Sequence, residues 1–136
     1  MNGPVRGALA GAAYAISLFL VGSAIGVVRV LALEPHLGAL EATVLELPLM
    51  LGIAWLICAS LVNRCAISAR TGDRLLMGGI ALFSLIAAEY SFGLLLGRPL
   101  DYRNLAAMLG LAGQIAAALL PLVQACLFPR RPRALP

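Results

Sequence analysis

ALAGAAYAISLFLVGSAIGVVRVLAL, residues 8–33, carries a single charge, Arg29, and no proline. At a rise of 1.5 Å per residue it makes a helix of roughly 39 Å, long enough to cross the roughly 30 Å hydrocarbon layer of a bilayer. A secretory signal core covers only about 7–15 residues. This run is longer and holds an arginine, so it is expected to remain on the chain as a helix. Three more apolar runs of spanning length follow at 40–62, 75–96 and 105–128.

Composition agrees with that reading. Only 12% of the 136 residues are charged and 62% are hydrophobic, whereas a soluble domain carries about 25% charged residues to solvate its faces. Four spanning runs leave no room for a second domain, so residues 1–136 are expected to form one transmembrane domain. The connections near 34–39, 63–74 and 97–104 are short enough to turn each helix back on the one before it. The expected fold is all-α, a polytopic antiparallel four-helix transmembrane bundle.

All ten basic residues are arginine, a bias given no functional weight. With the N-terminus inside, the inner side holds Arg6, Arg64, Arg70, Arg74, Arg130, Arg131 and Arg133, and the outer side Arg98 and Arg103, with Arg29 near the outer edge. Positively charged loops stay cytoplasmic, so both termini are expected in the cytoplasm of a bacterial inner membrane. The tail 129–136, PRRPRALP, is expected to be a short basic end held near anionic headgroups. The net charge of +4 is thus topological, and no nucleic-acid surface is expected.

Helical phase at 100° per residue then sorts the polar residues. In the first run Gly11, Ala15, Leu18, Gly22, Gly26 and Arg29 share a stripe, and in the third Glu89, Gly93 and Gly97 do so. The second aligns Glu46, Ile53, Ile57, Ser60 and Arg64; the fourth aligns Gly110, Gln114, Ala117, Pro121 and Gln124. Small residues let helices approach in lipid, so Gly22/Gly26 and Gly93/Gly97, each a GxxxG, are expected packing sites. Arg29, Glu46, Glu89 and Gln114 all fall in the outer half, with Glu89 and Gln114 about 12–15 Å deep. Charges at such depth cost roughly 2.5–3.5 kcal/mol on insertion scales. They therefore pair to fix helix register or line a water-filled pocket, and two acids for one base leave a carboxylate to titrate. Both readings stay open here.

Pro48 and Pro121 sit inside apolar runs and each frees the carbonyl four residues back, at Val44 and Ala117, which kinks the helix or offers a cation ligand. Glu34, His36 and Glu41 form a loop cluster whose spacing matches no metal-ligand set. Cys58, Cys65 and Cys126 have no paired spacing and read as reduced packing residues. Tyr102 belongs at an interface, Trp55 packs deeper, and Tyr90 needs no special role. HExxH, GxSxG and Walker patterns are all missing from the sequence; no enzyme, cofactor or metal site is expected.

The stretch EPHLGALEATVLELPLML, residues 34–51, with a GxxxG-ending third run and a Gly/Gln-bearing fourth, resembles uncharacterised small four-helix bacterial inner-membrane proteins. That resemblance implies the fold and the membrane, and no substrate. The function classes left are a homo-oligomeric transporter or channel for a proton, cation or small solute, an accessory or structural subunit of a larger membrane complex, and a lipid-handling protein or enzyme. Expected partners are the lipid bilayer and either further copies of the chain or a larger membrane protein.

Overall fold

The computed structural model describes residues 3–67, 70–95, 97 and 103–128, and these contain helices and no strand. Arg98, Tyr102 and the tail 129–136 lie outside the described residues. Helix α1 spans Gly3–Val28, α2 Ala39–Arg64, α3 Thr71–Leu95 and α4 Leu105–Leu127. All four are long and apolar enough to cross a membrane.

The expected first connection is not a loop. After α1 the chain widens into a π turn at Arg29–Leu33, closed by the Glu34 N–H on the Arg29 carbonyl, and continues as a helical turn, Glu34–Leu37. The first spanning helix is thereby continuous over Pro4–Leu37, 34 residues. Pro35 accounts for both features. It has no N–H for the Leu31 carbonyl and its ring would crowd that group, which a wider turn relieves, whereas in the first turn of a new helical segment its missing donor costs nothing. The break comes only at Gly38, whose φ of 89° and ψ of 162° belong to a region that side chains with a Cβ avoid.

The helices pack tightly at one end. Ala10, Tyr14 and Leu18 of α1, Ala54, Cys58 and Val62 of α2, Met77, Ala81 and Leu85 of α3 and Ala117 of α4 form a buried core. Close approach rests on Gly7, Gly11 and Gly78. A Cβ on Gly7 would lie 3.0 Å from the Asp73 carbonyl oxygen and one on Gly11 2.6 Å from that of Met77, while one on Gly78 would overlap the Ala118 carbonyl.

Three stripes differ from expectation. Gly22 faces only the end of Met50 at 3.4 Å, and Gly26 and Gly97 have open space, Gly97 lying in an exposed turn beyond α3 with φ of 66°. The tight glycine pair of α1 is therefore Gly7 and Gly11, because the helices diverge before Gly22. On α2, Ser60 and Arg64 are exposed, and the buried line runs Ala54, Cys58, Val62. Outward faces are apolar, with Phe83 76% and Leu95 84% exposed.

Candidate functional site

Beyond Leu18 the four helices separate around a cleft of about 880 Å³, within the roughly 300–1,000 Å³ usual for small-molecule sites. Apolar side chains such as Phe19, Leu51, Leu85 and Phe92 form most of its wall. Arg29, Glu46, Glu89 and Gln114, the four polar residues singled out by phase and depth, all line it, as do Gly22, Gly26 and Gly93. Gly22 and Gly26 leave room in the cleft instead of closing it.

Arg29 is held by three groups. Its Nε lies 3.1 Å from Glu46 Oε2 and 3.7 Å from Glu34 Oε1, and its NH1 donates to Thr43 Oγ1 at 2.7 Å. The Glu46 contact is an ion pair by distance and not an aligned hydrogen bond. Thr43 in turn donates to the Ala39 carbonyl at 2.7 Å, which turns its lone pairs toward the guanidinium. A hydroxyl one turn from Glu46 thus sets where the arginine rests.

Glu89 takes a different partner. Gln114 is near enough for its amide to act on the Glu89 carboxyl, Arg29 acts on it only at longer range, and it also interacts electrostatically with Glu46. Glu89 continues the buried line Met77, Ala81, Leu85 by one more turn. Gln114 follows from the α4 line of Ala117, Pro121 and Gln124. Its Oε1 is buried without a donor among the described residues.

Charge in the cleft is unbalanced. Glu34, Glu46 and Glu89 face one base, Arg29, so the described lining carries a formal −2 from three acids and one base, in a chain of net +4. Apolar walls strengthen that field because they displace the water that would screen it.

The cleft ends on Tyr14. This side chain is fully buried, and its hydroxyl donates to the Ala117 carbonyl at 3.0 Å, with the Ala54 carbonyl at 3.4 Å. Ala54 and Ala117 are themselves at the cleft wall, so Tyr14 lies directly beneath its floor. Ala117 is the residue whose carbonyl Pro121 leaves without its helical donor; a neighbouring helix supplies the missing proton. Further in, the Gln124 Nε2 donates to the Trp55 carbonyl at 2.9 Å and Arg74 is 3% exposed. The lining thus runs from Glu34, Ala39 and Asn104 at the Arg29 end of the bundle to Leu18, Ala54 and Ala117 next to Tyr14.

Sequence reasoning placed Glu34 in a solvated loop cluster and gave Thr43 and Tyr14 no role. Glu34 leaves His36 and Glu41, both exposed, and turns to Arg29. No group of His, Cys, Asp and Glu among the described residues is arranged to hold a metal ion. Among the cysteines, Cys58 is buried in the core and Cys126 exposed. Thr43 could have been found from its spacing of three residues from Glu46, on the same helix face.

No family model, curated protein or solved structure matches this chain. The chemistry of the cleft therefore carries the functional argument.

Proposed function

We propose that the chain is a multi-pass protein of a bacterial inner membrane, with both termini cytoplasmic, whose outward-opening cleft binds a small organic cation for transport. The observation that carries this is the cleft itself: apolar walls lined by three carboxyl groups against one guanidinium, with the buried Tyr14 hydroxyl bonded to the Ala117 carbonyl in its wall. Contacts support an antiparallel bundle. Gly7 and Gly11 meet Asp73 and Met77 in rising order, as between parallel first and third helices, while Arg29 meets Glu46 and Gly22 meets Met50 in opposing order. The arginine count sets the orientation. An outward-opening cleft is one of the two states that alternating access requires. Assembly into a homo-oligomer would give the outward apolar faces partners besides lipid.

Charge sign is the direct test. Tetraphenylphosphonium and tetraphenylborate share a shape and differ in sign. The purified protein is expected to bind the cation in preference, and Glu89→Gln to weaken that binding about tenfold, or roughly 1.4 kcal/mol, without altering its unfolding. Equal affinity for the two ions refutes the reading. A protein that tolerates Glu89→Gln and co-purifies with a larger membrane partner would be an accessory subunit instead.

A further inference from the structure

A second groove of about 330 Å³ lies on the outer side of the α1–α2 seam, bounded by Ala24, Ile25, Val28, Leu33, Leu45 and Leu49 together with Arg29 and Glu46. Only Arg29 and Glu46 border both this groove and the central cleft. Every other residue of the groove is aliphatic, and Val28, Leu45 and Leu49 are more than half exposed on the bundle's outer surface.

We infer that this seam is a lateral portal, through which an amphiphilic organic monocation passes from the lipid into the cleft by displacing the Arg29–Glu46 pair. The inference rests on the cation-binding reading above and adds the route and the class of solute. A monocation with an apolar body gathers in the groove from the bilayer, where a strongly hydrated ion would not enter. Its positive end meets Glu46 from the lipid side. Arg29 need not be stranded when Glu46 changes partner, because Glu34 lies 3.7 Å from its Nε and Thr43 2.7 Å from its NH1. The exchange leaves each cation beside a carboxylate throughout.

Backbone packing permits it. Gly26 has nothing within 4 Å of where a Cβ would stand and Gly22 meets only the flexible end of Met50, so on the cleft side of the seam these two positions leave room beside Arg29 and Glu46. The π turn starts at Arg29 itself, and such turns inside helices are frequent at functional sites. Gly38 alone links this helix to α2.

The test uses the full chain in lipid nanodiscs with radiolabelled tetraphenylphosphonium. Ala24→Phe places a ring in the groove from an exposed position that lines the groove and not the cleft. It is expected to slow association and dissociation together, by about tenfold or more, and to leave the equilibrium affinity within about twofold. Leu49→Phe, on the facing wall, is expected to do the same. Unchanged rates in both variants overturn the portal while leaving the cleft reading intact, as does a loss of affinity in both, which would mean that the groove supports the cleft instead of giving access to it. A wild-type protein that binds no probe removes both proposals.

Discussion

Removing the Tyr14 hydroxyl should cost stability only because Pro121 is where it is. Tyr14→Phe deletes a donor from a site where the ring is fully buried and Ala117 is 7% exposed. The Ala54 carbonyl, at 3.4 Å, keeps its donor within α2 and loses little. The Ala117 carbonyl, at 3.0 Å, has none in its own helix. A buried acceptor left unpaired costs about 1–3 kcal/mol in water-soluble proteins, while hydrogen bonds between membrane helices average about 0.6 and reach about 1.7 kcal/mol. We expect about 1–2 kcal/mol. Pro121→Ala restores an N–H in register with Ala117, so in that background Tyr14→Phe should cost less than about 0.5 kcal/mol. Unfolding in mixed micelles of rising sodium dodecyl sulfate fraction, followed through Trp55 fluorescence, gives all four corners of the cycle. Equal losses in the two backgrounds would mean that the hydroxyl does not serve the proline-freed carbonyl, and the account of the floor would fail.

Other expectations follow from the packing and the charges. Gly78→Ala should destabilise the protein by about 1–3 kcal/mol, because the new Cβ meets backbone that cannot yield without separating α3 from α4; Gly26→Ala should be neutral or gain up to about 1 kcal/mol in the same micelle assay. Arg29→Ala and Glu46→Gln should be sub-additive, the double variant recovering on the order of 1 kcal/mol; strict additivity would show that the 3.1 Å pair does not couple. With Cys126→Ser as background, His36→Cys should react with an impermeant thiol reagent added outside cells, and reaction only after lysis would invert the proposed topology.

The four helices were legible because burial in lipid needs only length and apolarity, both plain in runs such as 75–96. The first turn was not, since Glu34, Pro35, His36 and Gly38 look like loop residues one by one, although proline is welcome in a first helical turn and only Gly38 needs special backbone angles. Arg29, Glu46, Glu89 and Gln114 share a cleft because helical phase survives folding; phase and depth do not say which acid the arginine takes, and it pairs with Glu46 and Glu34 while Glu89 stands beside Gln114. Spacing finds GxxxG pairs but not how far apart the helices stand at that level. Gly22 and Gly26 therefore looked like packing sites, while Gly7 and Gly11, with the same spacing and partly ahead of the apolar run, do the packing. Tyr14 was given no role, since nothing in its neighbourhood shows that a proline-freed carbonyl about a hundred residues away comes to rest beside it.

The unbroken length of the first helix acts as a ruler. Arg6 and Arg29 are separated by a helical rise of about 35 Å, slightly more than a typical hydrocarbon layer of about 30 Å. In the proposed orientation the two guanidiniums would stand near opposite phosphate planes. Lipid phosphates then compete with Glu46 for Arg29, more strongly where the bilayer is thin and the arginine rises clear of the acyl chains, less where it is thick and the helix must straighten. How firmly the seam is latched would vary with the lipid around it, so the same chain could behave differently in membranes of different thickness or headgroup charge.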